Sequence, residues 1–155
     1  MNRRVLIIAS ALAALAVGAP DIADAQMNCR VTVPPLAFGT YSPGIGAPLD
    51  VTGSIDVSCR GRPGIFLVTL ATGSSGSYAA RTMLSGPYTM FYNLYLNAAR
   101  TLVWGDGTGG TVIGVRLKGR FGRQDFTLPV YGRIPPLQSV GAGFYQDDVL
   151  VTVIF

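Results

Sequence analysis

The chain has 155 residues, of which 49% are hydrophobic and 13% charged, with a net charge of +4 and no histidine. All eight acidic residues are aspartates. The high apolar and aromatic content excludes a disordered chain, and the lack of histidine excludes histidine-based triads, bases and metal sites. Twenty glycines and ten prolines favour short strands joined by turns.

Residues 1–25 have the three parts of a secretory signal peptide. A basic head at residues 1–4 precedes an apolar stretch at residues 5–17, and small residues at positions 23 and 25 predict a cut between Ala25 and Gln26. A transmembrane anchor is the alternative, but the apolar stretch is shorter than the roughly 20 residues that cross a bilayer as a helix. We expect an exported chain with one domain at residues 26–155.

Cys29 and Cys59 are the only cysteines. In an oxidising compartment they are expected to form a disulfide. Closing a loop of this length stabilises a domain by about 3.6 kcal/mol in the chain-entropy model. Two free redox thiols are the alternative, but the pattern Cys-x-x-Cys is absent.

The pattern of residues 26–155 predicts an all-β fold. Residues 51–59 alternate, with Ile55, Val57 and Cys59 on the buried face. Residues 65–70 are apolar enough for a strand buried on both faces. Further strands are predicted at residues 30–33, 36–41, 88–96, 101–104, 111–117, 126–134 with a break at Pro129, and 145–155. Turns are predicted at residues 42–44, 72–77, 97–100, 105–110 and 119–124. Short strands at this spacing indicate a β-sandwich.

The candidate catalytic groups do not assemble into a site. The glycine-rich residues 105–110 lack the Lys-Ser/Thr ending of a phosphate-binding loop, so a turn is predicted. Asp147 and Asp148 are adjacent and would point to opposite faces of a strand. Asp106 and Asp125 are predicted to lie in turns, where Asp satisfies local backbone groups. We predict a protein that is not an enzyme, with no cofactor and no metal.

The densest basic group is Arg116, Lys118, Arg120 and Arg123, of which the first three occupy alternate positions. Alternate positions in a strand share one face, so a solvated strand face is expected, with a patch for an anionic ligand as the alternative. No pattern typical of nucleic-acid binding is present, and no nucleic acid is expected as a partner.

Residues 149–155 are apolar at almost every position. An exposed apolar edge strand is an aggregation hazard, so this edge must pair with a partner or be covered by an internal strand.

Six stretches in chain order resemble the spore coat protein U domain, the subunit type of archaic (Csu-like) chaperone–usher pili. They are residues 38–41 (FGTY), 55–59 (IDVSC), 92–95 (YNLY), 103–108 (VWGDGT), 130–135 (VYGRIP) and 142–147 (AGFYQD).

The resemblance implies an incomplete immunoglobulin-like β-sandwich that lacks its last strand. A periplasmic pilus chaperone fills the resulting groove first, and a donor strand from the neighbouring pilin subunit replaces it during assembly at the outer-membrane usher. The resemblance assigns the edge that accepts the strand to Val149, Val151, Val153 and Phe155, with the carboxylate of Phe155 as a chaperone contact. It implies export to the periplasm and then to the cell surface, without stable membrane insertion.

A donated strand needs roughly ten residues, at about 3.3 Å each, ahead of the fold. After cleavage only residues 26–28 precede Cys29. We therefore hypothesise that this subunit accepts a strand and donates none, which suits the tip of a fibre and a role in adhesion and biofilm formation. Residues 74–78 and 105–111 are candidate contact loops, with ordinary turns as the alternative.

Three other functions stay open. One is a free-standing secreted coat protein with the same fold. Another is a carbohydrate-binding module, in which Trp104 and Tyr88 stack on sugar rings instead of packing in the core. The third is a small outer-membrane β-barrel, against which Pro129 and the strands that are apolar on both faces count.

Overall fold

The structure is a computed structural model that describes residues 27–62, 64–119 and 121–155. The predicted signal peptide, its cut between Ala25 and Gln26, and Arg120 lie outside the described residues. No helix in the described part of the chain is long and apolar enough to cross a membrane.

The described residues form eight strands and one 3₁₀ turn. The strands are β1 (Asn28–Thr32), β2 (Leu49–Gly61), β3 (Gly64–Leu70), β4 (Arg81–Ser85), β5 (Tyr88–Tyr95), β6 (Gly114–Lys118), β7 (Gly122–Ile134) and β8 (Val151–Ile154), and the 3₁₀ turn is Gly73–Ser75. Strand β4 was not predicted, since its sequence has no clear alternation.

The strands form two antiparallel sheets with the core between them. One sheet has the order β1-β2-β7-β5-β4 and the other has the order β6-β3-β8. The core includes Ile55 of β2, Phe66 of β3 and Leu128 of β7, and the fully buried Trp104 packs among them. This confirms the predicted β-sandwich.

The predicted disulfide is confirmed. Cys29 and Cys59 are bonded and lie directly opposite each other in the β1–β2 pair. Cys59 is buried, as the alternation of residues 51–59 predicted. The bond therefore ties the edge strand β1 to the long strand β2.

The prediction that residues 65–70 are buried on both faces is wrong for the described residues. Phe66, Val68 and Leu70 are buried against the core, but Ile65 is 57% exposed. The outward face of β3 has no covering layer among the described residues.

The predicted strand break at Pro129 is also wrong. Strand β7 runs through Pro129, which lies opposite Ser54 of β2. On the other side of β7, the pairing with β5 covers only residues 131–133. Pro129 therefore lies where β7 has a free edge, and its missing N–H breaks no ladder.

Asp125 lies in β7 and not in the predicted turn. Pairing of β2 with β7 already begins at Gly61 and Gly122, so the turn before β7 is shorter than predicted. Asp125 accepts a hydrogen bond from Arg123 at 2.6 Å on the exposed face.

An ion-pair network fastens the start of β2 to β7. Arg133 donates through Nε and Nη2 to the two carboxylate oxygens of Asp50 at 2.7 and 2.8 Å. Nη1 of Arg100 lies 3.2 Å from Oδ2 of Asp50. The hydrogen bond from Arg133 lowers the pKa of Asp50 from its ordinary value of 3.8, and the charge of Arg100 acts in the same direction against the opposing effect of burial.

We expect Asp50→Asn to lower the free energy of unfolding at pH 7 by about 1 kcal/mol or less, because the network is partly solvated. A folded-state pKa below the unfolded one stabilises the fold above the unfolded pKa, and the effect is lost as the pH falls through the folded pKa. The difference from wild type in urea unfolding should therefore shrink as the pH is lowered from 7 to 2. The exposed Asp148→Asn is the control, and an undiminished difference at pH 2 would contradict the prediction.

Candidate functional site

A large apolar groove opens between residues 33–41 and residues 140–151. Its volume is about 1240 Å³, above the roughly 300–1,000 Å³ of small-molecule sites. Its floor consists of Ile55, Leu70, Met83, Met90, Tyr92, Leu94, Val130 and Ile134. A site of this size and composition fits a segment of polypeptide.

The first wall of the groove, residues 33–41, belongs to no strand. Its side chains pack where β2 and β7 carry glycine. A Cβ at Gly53 would lie 2.7 Å from Cδ1 of Leu36, and one at Gly132 would lie 2.7 Å from Cζ of Phe38. The two glycines therefore provide recesses that seat Leu36 and Phe38, as glycine in a strand allows a close approach.

Two aromatic residues fix the first wall further. The ring of Phe38 packs edge-on against Tyr92, with ring centroids 5.9 Å apart. The hydroxyl of Tyr41 donates to the carbonyl of Pro135 at 3.3 Å and accepts from the N–H of Gln138 at 2.7 Å. Side-chain contacts therefore hold the first wall in place, although its backbone is paired into neither sheet.

The second wall, residues 140–151, corrects the prediction of a strand at residues 145–155. Ladder pairing with β3 begins only at Val151, and Gln146 makes an isolated bridge to Leu84. The carbonyl of Leu150 accepts from the N–H of Ala71 at 2.9 Å, so one side of this wall faces the residue that directly follows β3. On the opposite side lies the groove, where no described strand completes the ladder.

Asp147 fastens the second wall to the floor. Its Oδ1 accepts from the N–H and the hydroxyl of Ser74, at 2.8 and 2.5 Å, and its Oδ2 accepts from the hydroxyl of Tyr92 at 2.5 Å. Burial raises the pKa of Tyr92, and the hydrogen bond to Asp147 raises it further, so the phenol stays protonated and donates. Asp147 thus has a positioning role that the sequence did not indicate.

A buried arginine lies behind this contact. Arg81 is fully buried and donates to Oδ1 of Asn93 at 2.7 Å and to the carbonyls of Ala71 and Trp104 at 2.8 and 2.7 Å. Burial lowers the pKa of Arg81. The network joins β4, β5 and the segment after β3, which together support one end of the groove.

The four residues predicted for the accepting edge separate into two pairs. Val149 and Val151 line the groove. Val153 packs against the core next to β3, and the ring of Phe155 lies 6.3 Å from Phe66. The wall opposite them was not predicted as part of the site, although its stretch at residues 38–41 carries the family resemblance.

The other sequence candidates have structural roles. Trp104 is fully buried, so the interpretation of it as a sugar-stacking residue is wrong, whereas Tyr88 is about half exposed. Asp106 accepts from the N–H and hydroxyl of Thr108 within its turn, as predicted. Within residues 27–62, 64–119 and 121–155, no group of three potential metal ligands comes together.

The chain matches a known domain family over most of its length. The Spore Coat Protein U domain matches residues 12–152.

The chain belongs to the spore coat protein U family.

The chain is also similar to Protein U of Myxococcus xanthus. The two are 33% identical over 135 residues, which is 77% of this chain and 71% of that one. The predicted resemblance to this family is thus confirmed.

Among solved structures, the fold is similar to a chain of the CsuC–CsuE chaperone–tip adhesion subunit pre-assembly complex from the archaic chaperone–usher Csu pili of Acinetobacter baumannii. The TM-score is 0.59 at 23% identity, and the match covers 84% of this chain but 40% of that one. This spore coat protein U domain therefore shares that fold and spans well under half the length of that protein.

Proposed function

We propose that this spore coat protein U domain is a structural, non-catalytic subunit of a chaperone–usher fibre and accepts a β-strand in its groove. One observation carries the proposal: two opposed walls, residues 33–41 and 140–151, border an apolar floor, and apart from the Gln146 bridge and Val151 of β8 they are paired into neither sheet. A strand laid between them would gain backbone hydrogen bonds from the wall beside β8 and would bury alternate side chains on the floor.

The partners follow from this mechanism. A periplasmic chaperone supplies the first strand, and a neighbouring pilin subunit replaces it as the chain passes an outer-membrane usher. Val149 and Val151 border the inserted strand, and Phe155 contacts the chaperone. Similarity to a chaperone–subunit complex supports these partners, and they imply export to the periplasm and then the cell surface.

A position at the fibre tip, with a role in adhesion and biofilm formation, is the finer form of the proposal. Its support is the likeness to a complex that contains a tip adhesion subunit. Ser74 of one predicted contact loop is held by Asp147, which leaves the turn at residues 105–111 as the better candidate for surface contact.

A free-standing coat protein is the second candidate. It is favoured by the family description and by the 33% identity to Protein U. The two candidates differ in whether the groove needs an external strand.

The deciding experiment is periplasmic expression with and without a Csu-type chaperone from the same source. We expect soluble protein only as a one-to-one complex with the chaperone, because the open groove exposes apolar surface. A chain that is soluble and monomeric alone would contradict the fibre proposal and favour the coat protein.

A pair of variants locates the contact. Phe144 lines the groove and is 82% exposed, whereas Leu137 is 68% exposed and does not line it. We expect Phe144→Lys to weaken chaperone binding roughly tenfold, which corresponds to about 1.4 kcal/mol, and Leu137→Lys to leave it unchanged. Equal effects of the two variants would place the contact elsewhere.

A further inference from the structure

The outward face of the three-stranded sheet is apolar. We call Ile65, Leu67, Val115, Leu117 and Ile154 the outer patch. Leu117 lies opposite Ile65, and Leu67 lies between Val115 and Ile154, so the five residues are cross-strand neighbours on one face. The patch extends across all three strands β6, β3 and β8.

The outer patch is open to solvent. Leu117 is 72% exposed, Ile65 is 57%, Ile154 is 51% and Val115 is 47%. The remaining outward positions of the three strands are the threonines Thr69 and Thr152, which are also cross-strand partners. Among the described residues of these strands, no outward position carries a charge.

In strand β6 the apolar side chains face outward and the basic side chains face inward, the reverse of the usual distribution. Arg116 lies opposite the buried Phe66 and Lys118 lies opposite Gly64, so both basic residues are on the inward side, near the sandwich edge. The ammonium of Lys118 lies 5.8 Å from the centroid of the Phe126 ring. Arg116 and Lys118 therefore share one face, as predicted, and Arg116 is exposed to solvent, but this face is the inward side of the sheet at its edge. Antiparallel sheets normally present polar residues to water and apolar residues to the core, and β6 does the opposite.

We propose that the outer patch is the contact between two copies of this chain, packed face to face about a two-fold axis. The patch has no charges that would repel across the axis. An isologous contact uses the same surface on both partners. Leu67 lies at the centre of the patch with apolar neighbours on both adjacent strands, so apolar side chains of one copy would meet apolar side chains of the other. Two such sheet faces would pack about 10 Å apart, as the sheets of a sandwich do.

The area suits a weak dimer of this kind. With its threonine rim, the patch presents roughly 600 Å² per copy, and a dimer would bury roughly 1,200 Å² in total, at the lower end of specific interfaces. We therefore expect a dissociation constant in the micromolar range. The groove lies beyond the free edge of β8, between the sheets, so an inserted strand and a second copy do not compete for the same surface.

Sedimentation velocity of the mature chain over about 1–100 μM tests the proposal. We expect concentration-dependent dimers for the wild type, at least a tenfold higher dissociation constant for Leu117→Lys, and no change for Leu137→Lys. Circular dichroism checks that Leu117→Lys stays folded, which its exposure favours. If the chain is soluble only with a chaperone bound, the same variants are compared in that complex. The proposal then predicts that two one-to-one complexes associate into a two-to-two assembly.

The groove variant separates the two surfaces. Association that is lost in Phe144→Lys but retained in Leu117→Lys would overturn the proposal, since it would mean that copies exchange strands at the groove. A wild type that stays monomeric throughout the concentration range would also overturn it. The dimer proposal is judged by association of the chain or of its chaperone complex, and the fibre proposal by whether the chain is soluble without a chaperone, so their failures are distinguishable.

Discussion

Replacing Trp104 by alanine is expected to lower the free energy of unfolding by about 3–5 kcal/mol. The indole is fully buried, and its Nε1 donates to the carbonyl of Val68 at 2.8 Å. It also packs against Gly114, where an added Cβ would lie 2.7 Å from Cζ2 of the indole. The variant loses a large buried surface and leaves a cavity between the sheets.

This loss is a large share of the roughly 5–15 kcal/mol that stabilises a typical domain. Thermal unfolding should show a melting temperature lower by about 10–20 °C. Leu102→Ala is the matched control, because Leu102 is close in sequence but 44% exposed, and it should change the stability by about 0.5 kcal/mol or less. Similar losses in the two variants would mean that Trp104 is not the centre of the core.

Cys59→Ser is expected to have an effect of similar size. The bond joins residues 30 positions apart, and its removal should cost about 3.6 kcal/mol, since the unfolded chain gains freedom. The first groove wall begins directly after β1, so release of β1 should also loosen that wall. We expect a lower yield of exported protein and a lower melting temperature.

Reduced wild type serves as the reference for this variant. Reductant should lower the melting temperature of the wild type to near that of Cys59→Ser, and it should not change the variant. A variant that melts at the wild-type temperature would show that the disulfide contributes little to stability.

Sequence analysis predicted only one of the two walls of the groove. The apolar run at residues 149–155 indicated an edge that needs a partner, and Val149 and Val151 do line the groove. Leu36 and Phe38 were not predicted as its other wall. Their role depends on Gly53 of β2 and Gly132 of β7, which provide the recesses that hold them.

The contact of Asp147 with Tyr92 was beyond sequence analysis for the same reason. The two residues are 55 positions apart and meet at a hydrogen bond between the second wall and the groove floor. Local alternation shows that neighbouring side chains point to opposite faces, but it does not show which distant group lies opposite either of them.

The all-β class, the buried face of β2 and the pairing of Cys29 with Cys59 were predictable from the sequence, because strand alternation has a period of two and an exported chain with two cysteines has only one pairing. Which strands are neighbours and which surfaces stay uncovered depend on contacts between distant segments. The apolar residues of β3 illustrate the difference: their pattern predicted burial on both faces, yet the fold covers one. Burial depends on what packs against a strand, and that is decided by strand order and by the edges that no other segment reaches.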